Sequence, residues 1–231
     1  IPSGLAVEHT KGWLQRLDHP SVDGLNTWVI SHALRATGTV VGVSGLGGDE
    51  LFGGYPSFAD VPRALSVHRK LRAIPKAARS GLFWLSKSHA SPAVREKAWA
   101  MGGAGDDIVA QYMLRRRMFS DARMKRFGID PIALGLDETY QHPAVTSELR
   151  DTLDSDPIAA ISRMESRFYM GNMLLRDGDV YGMAHSLEIR VPFLDRRVVE
   201  TVASIPGNIR LPGGGGTKHL LKKAFAPELR S

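Results

Sequence analysis

One run of residues limits what this chain can fold into more than any other. Thr39-Val40-Val41-Gly42-Val43 is short, apolar and β-branched, the pattern of a buried strand. Nearly everything else carries apolar residues at three- and four-residue spacing, which predicts helix. One strand does not make a sheet. Either its partners lie in sequence that is not present here, or the fold is a helical bundle carrying an orphan strand.

The residues after the strand point to chemistry. Residues 44–55 read Ser-Gly-Leu-Gly-Gly-Asp-Glu-Leu-Phe-Gly-Gly-Tyr. Glycines let backbone amides approach a ligand closely, and Asp49-Glu50 puts two carboxylates at one spot. Glycine plus acid at the carboxyl end of a strand is where α/β folds bind phosphorylated ligands and their metal ions. The expectation is that amides around Gly45 and Gly47 contact a nucleotide and that Asp49 holds Mg²⁺, which takes a few hard oxygens and leaves the rest to water and phosphate. The competing reading is a glycine turn with a solvated acidic helix start.

Composition narrows the class. With 43% hydrophobic and 23% charged residues, disorder is not expected. No apolar run approaches the roughly 18 residues of a membrane span. The absence of cysteine removes disulfides, thiolate metal sites and a cysteine nucleophile, and fits a cytoplasmic protein. Net charge is +6, but the cations are scattered over helical stretches such as Arg115-Arg116-Arg117, and no zinc-finger, RNA-binding or helix-turn-helix pattern accompanies them. The expectation is no nucleic acid and no membrane partner; self-association into a homo-oligomer stays open. The first residues, Ile1-Pro2-Ser3-Gly4, carry neither an initiator Met nor a signal pattern and predict a cut inside a longer protein.

Along the chain, a helix is expected over 8–17 and another from Asn26 or Thr27 to Thr37, stopped by Gly38. Interrupted helices fill 60–130, with Gly102-Gly103-Ala104-Gly105 as a loop. Residues 128–147 read as mostly loop, with Pro131 and Pro143 as breakers. Pro157 opens a long helix whose face follows Ile158, Ile161, Met164 or Glu165, Phe168 and Met173. That pattern breaks at Arg176-Asp177-Gly178-Asp179. The glycines 213–216 predict a loop, and Thr217 caps a helix over 218–226. Lys218 in its first turn would add charge to the positive end of the helix dipole. Glu188 and Arg190, two apart, can pair if extended; a structural ion pair is preferred to an acceptor-site wall. His185, beside Met and Ala, reads as a packing residue.

Three blocks now carry a resemblance: 44–55; Met183-Ala184-His185-Ser186-Leu187-Glu188-Ile189-Arg190-Val191-Pro192-Phe193-Leu194-Asp195; and Thr217-Lys218-His219-Leu220-Leu221-Lys222. In this order and spacing the chain resembles the synthetase domain of asparagine synthase (glutamine-hydrolysing), over nearly its whole length. The resemblance implies an α/β fold of the adenine-nucleotide α-hydrolase-like (Rossmann-like) kind, truncated here to a mostly helical piece with few parallel strands. It implies 1–58 as the end of the nucleotide-binding part and 59–231 as a helical part. It also implies an ATP- and Mg²⁺-dependent ligase that adenylates aspartate and displaces AMP with ammonia from glutamine. Carried over by position, Ser44 and Gly45 would contact the nucleotide or adenylate, with the Gly47 amide beside them, and Tyr55 would either hydrogen-bond the ligand or close the glycine turn. Asp49 would ligate Mg²⁺, Glu50 would support it or orient the loop, and Lys218 would bind pyrophosphate.

Departures from the family pattern matter. Its Ser-Gly-Gly-x-Asp-Ser phosphate loop and its glutaminase cysteine appear nowhere, so this chain alone is expected to have little activity. Position 46 is Leu where well-known members carry Glu, and Val180 stands where Arg is expected. Leu46 keeps open another adenylating amide-bond former of the β-lactam synthetase or peptide cyclase type. A non-catalytic helical interaction module is the rival from a different class.

Overall fold

A computed structural model describes residues 3–71, 73–137, 139–153, 156–213 and 216–228. The expected glycine loop therefore lies partly, at Gly214 and Gly215, outside the described residues. The chain divides into two compact units. One joins Ile1–Gly54 to Ser162–Ser231; the other is the contiguous stretch Tyr55–Ile161.

The first unit begins with α1 (Ser3–Gln15) and α2 (Gly24–Ala36), which lead to β1 (Val41–Val43) and the short α3 (Gly48–Phe52). The second unit holds α4 (Ser57–Lys70), α5 (Lys76–Leu85), α6 (Pro92–Gly103), α7 (Ile108–Arg116), α8 (Asp121–Arg126) and α9 (Pro143–Thr152). Within α10 (Pro157–Met164) the chain returns to the first unit. A π-helical segment (Glu165–Leu174), α11 (Leu175–Ala184), β2 (Glu188–Arg190) and a 3₁₀ turn (Pro192–Leu194) follow. Then come α12 (Arg196–Ser204), α13 (Gly207–Arg210) and α14 (His219–Ala224).

The strand does find a partner. β1 and β2 pair in parallel, with Val41 opposite Glu188, Gly42 opposite Ile189 and Val43 opposite Arg190. These are the two strands among the described residues, so the chain is mostly helical with a small parallel sheet. The strand is not buried as expected: Val43 is 76% exposed, and Val40 and Val41 are exposed as well. With one neighbouring strand, β1 is covered only around Gly42, which faces Leu34 and Leu187.

Three other expectations change. Residues 102–103 are the end of α6 rather than a loop. A Cβ at Gly102 would lie 2.7 Å from the Ser80 Cα, so these glycines let α5 and α6 pack backbone to backbone. Pro143 starts α9 instead of breaking a helix; it sits in the first turn, where its missing N–H costs nothing, and the His142 ring accepts from the Ala144 N–H. The irregularity expected at 176–179 lies upstream, in the π segment. Gly171 sits there 3.2 Å from the Ser166 carbonyl oxygen, measured from an added Cβ. The wider turns shift the buried face from Ile161, Met164 and Glu165 to Met170 and then Asp177, so an acid appears where the α-helical period calls for an apolar residue. Asp177 is fully buried and accepts from the Ser21 hydroxyl at 2.6 Å.

Each unit has its own apolar centre. Leu51, Phe52 and Val202 are packed by Phe193, Val198, Val199, Leu220 and Leu221. In the second unit Ala64, Met101 and Leu114 pack with Phe83. The first of these clusters brings α3, α12 and α14 together, and so sets the glycine turn beside the lysine of the third block.

Candidate functional site

The turn after β1 is built by its own sequence. Ser44 extends the parallel ladder, its N–H donating to the Arg190 carbonyl at 2.8 Å, while its hydroxyl accepts from the Leu46 N–H at 3.3 Å. Gly45 is exposed with open space where a Cβ would be. Gly47 is a different case. Its φ of +90° favours glycine, and a Cβ there would lie 2.6 Å from Leu194 Cδ2. It is buried under the second block and shapes the turn.

That turn launches α3, which splits the two carboxylates. Glu50 points inward and is 1% exposed. Its own carbonyl accepts from the Ser162 hydroxyl at 2.8 Å, and Arg210 Nη1 donates to that hydroxyl at 3.4 Å. Asp49 remains about one-third exposed, at 36%. Lys218 Nζ lies 2.9 Å from Asp49 Oδ1. Residues 169 positions apart in sequence therefore meet in a direct ion pair within one unit.

Two backbone features hold this pair. A Cβ on Gly54 would fall 1.6 Å from the same Asp49 Oδ1, and the Gly54 N–H donates to the Asp49 carbonyl at 2.9 Å. The missing side chain at 54 is the space that the carboxylate occupies. Sequence alone assigns Gly54 no role, although it stands directly before Tyr55 in the motif. Lys218 is not in the first turn of its helix as expected. It is the residue before α14, in the left-handed region at φ 55° and ψ 36°. Non-glycine residues enter that region at a cost of roughly 1–2 kcal/mol, and such strain collects at functional sites.

Tyr55 opens the second unit, and the Arg116 guanidinium carbon lies 4.4 Å from its ring centroid. Leu46 lines a cleft of about 170 Å³ with Gly178, Met183, Ile189 and Val191, bounded by Asp179 and Glu188. Glu188 and Arg190 pair at 2.8 Å on the exposed face of β2, as a structural ion pair would. His185 packs edge-on against Trp28, with ring centroids 4.2 Å apart, and faces His32 at 5.3 Å. Burial first, then His32 and His9, hold its pKa below the usual histidine value.

Mg²⁺ is tested by the donors present. No group of three or more His, Cys, Asp or Glu residues that could hold a metal occurs among the described residues. A single partly exposed carboxylate, fixed by the Gly54 notch, fits an ion that takes one or two carboxylates and completes its shell with phosphate and water. No helix among the described residues is long and apolar enough to cross a membrane.

Comparison with known proteins assigns the chain to a family. The sequence profile of the asparagine synthase family matches residues 6–230. A putative glutamine-hydrolysing asparagine synthetase of Mycobacterium tuberculosis is 29% identical over 186 residues, 80% of this chain and 27% of the relative. Asparagine synthetase 1 (glutamine-hydrolysing) of Bacillus subtilis is 28% identical over the same share of each chain. The amidase chry2 of Gibberella zeae is 24% identical over 93% of this chain and 34% of its own length. The chain thus spans about a quarter to a third of these relatives. No solved structure matches it.

Proposed function

The chain belongs to the asparagine synthase family, and from that premise we propose that it is part of a ligase that adenylates a carboxylate with ATP and passes the acyl group to ammonia. The observation that carries the reading is the Asp49–Lys218 pair beside the glycine turn. In the reaction, an aspartate carboxylate oxygen attacks the α-phosphorus of ATP and pyrophosphate leaves. Ammonia, released from glutamine elsewhere in the full protein, then attacks the acyl carbon of the adenylate and AMP leaves with its bonding electrons. Charge grows on the departing pyrophosphate, and a fixed cation lowers that barrier. Mg²⁺, when bound, supplies further neutralisation of the phosphate oxygens.

The placement supports the following roles. Asp49 would hold the metal through its carboxylate. Lys218, which pairs with Asp49 at 2.9 Å, would supply its charge to the pyrophosphate. Ser44 offers its hydroxyl proton and the exposed Gly45 its backbone amide to the nucleotide, and Gly47 sets the path of the turn. Buried Glu50 orients the loop rather than meeting substrate, consistent with its 1% exposure. Tyr55 closes the motif. The exposed valines of β1 suit further strands of a parallel sheet, which supports the adenine-nucleotide α-hydrolase-like fold for the intact domain.

The test is turnover of the full-length protein. Lys218→Ala should lower AMP and pyrophosphate release by at least about 100-fold, in line with loss of one charge-stabilising donor, and Asp49→Asn should raise the Mg²⁺ requirement. Unchanged turnover in both variants would reduce the motifs to scaffold. The 231-residue chain alone, given ATP, Mg²⁺, aspartate and ammonia, should release little AMP. A second reading is favoured by one observation: Leu46 makes the cleft beside Met183, Ile189 and Val191 apolar. An acceptor with an apolar body would suit it, and a screen of carboxylates showing no aspartate preference would select that reading.

A further inference from the structure

A larger cleft lies wholly within the second unit. It encloses about 610 Å³, inside the range of small-molecule sites. Its apolar lining comes from Trp84 on α5, Trp99 and Ala100 on α6, Leu114 on α7, and Met118 and Phe119 in the turn after α7. Aromatic and aliphatic walls of this kind take a flat apolar body.

The charges around it are uneven. Lys97, Arg117, Arg123 and Arg126 line the cleft, against Glu96 and Asp121, an excess of two positive charges. Asp121 is already engaged by Arg117 at 2.8 Å, and Tyr140 stacks on that guanidinium at 4.8 Å. Lys97 is half-buried and donates to the Arg115 carbonyl at 3.1 Å. Burial first, then repulsion from Arg115 and Arg117, hold its pKa below the usual lysine value. The positive field at this ammonium would be relieved by an anion entering the cleft.

We propose that this cleft binds a small organic anion with an aromatic body, an aryl carboxylate, whose ring lies against Trp84 and Trp99 and whose charge meets Lys97. Three observations combine in it: the volume, the indole walls and the excess of cations. None of the residues involved belongs to the Asp49–Lys218 site, so the proposal stands apart from the ligase reading.

Calorimetric titration of the 231-residue chain with 2-naphthoate tests it, with 2-naphthamide as the neutral isostere and an oligothymidylate as the polyanion. The expected result is saturable one-to-one binding of naphthoate, at least about tenfold tighter than the amide, as a charge-assisted contact implies. Lys97→Met should abolish that preference while keeping amide binding, and Trp99→Ala should weaken both ligands. Naphthoate affinity should also fall as pH rises through the lowered titration of Lys97, with no such trend for the amide. Arg126→Met, at an exposed position, should reduce the preference in part and carries the test if Lys97→Met does not fold by circular dichroism. Equal affinity for acid and amide, absence of saturable binding, or an undiminished preference in Arg126→Met together with any folded Lys97→Met would overturn the proposal. Tighter, steeply salt-dependent binding of the oligothymidylate that excludes naphthoate would overturn it too, in favour of single-stranded nucleic acid.

Discussion

Replacing Gly54 with alanine separates stability from function in this protein. The added Cβ would fall 1.6 Å from Asp49 Oδ1, an overlap that the carboxylate must relieve by leaving its position. No positive φ opposes the change, and the approach to Asp49 Cβ, 2.9 Å, asks the backbone for only a small shift. Less conformational freedom in the unfolded chain stabilises the variant by about 0.4–1 kcal/mol. Loss of the partly exposed Asp49–Lys218 pair costs about 0–1 kcal/mol. The two nearly cancel, so thermal unfolding should shift by less than about 1 kcal/mol in either direction. Metal affinity should respond more strongly. If Asp49 holds the metal as proposed, displacing its carboxylate should weaken Mg²⁺-dependent ATP binding by the full-length protein at least about tenfold, or about 1.4 kcal/mol. Gly47→Ala should behave in the opposite way. Its φ of +90° and the 2.6 Å approach to Leu194 predict a loss of about 2–4 kcal/mol. Wild-type Mg²⁺ dependence in Gly54→Ala would refute the claim that Asp49 is held in place for a metal. A destabilisation as large as that of Gly47→Ala would refute the steric reasoning itself.

Two further outcomes concern the scaffold. The pKa values of His185 and His68 lie below the usual histidine value, chiefly through burial. Below about pH 6.5 the unfolded chain therefore binds protons that the folded chain refuses, and stability should fall from about pH 7.5 to about pH 5.5. His185→Phe, which keeps a ring against Trp28, should flatten part of that slope in urea unfolding. Ser21→Ala removes the hydroxyl donor to buried Asp177 and should cost about 1–3 kcal/mol near neutral pH. Burial raises the Asp177 pKa, while Ser21 and His19 pull it down. The protonated acid is thus the form that folding favours, and its contribution is lost as pH rises through the raised value. The penalty of Ser21→Ala should accordingly shrink toward about pH 4.

Local chemistry was legible in the sequence where a single residue type had one physical reason to be there. The strand before Ser44, the glycine turn and the acidic start of α3 can be read from adjacent residues. The partner of that strand was legible only as Glu188 and Arg190 lying two apart, because parallel pairing leaves no turn signal. Gly102 and Gly103 resist reading because glycine marks a loop and a close helix contact alike, and only the Ser80 backbone tells them apart. Asp177 looks like a helix break because no sequence period signals a buried acid that follows a π segment. For Lys218, position along the chain suggests a helix dipole, whereas the structure gives a strained left-handed residue aimed at Asp49. A contact between residues 169 apart has no local signature.

The parallel pairing of β1 with β2 also has a consequence for how the chain acquires its shape. All of Tyr55–Ile161 lies between those strands, and that stretch is contiguous with its own apolar centre. During synthesis it can collapse as soon as it emerges, while β1, with Val40, Val41 and Val43, waits for β2, which is made only after that whole stretch. Closing so long a loop is slow and leaves a sticky edge unprotected in the interim. The segment that carries Asp49 is thus translated before its partner strand and becomes ordered only once that partner has been made.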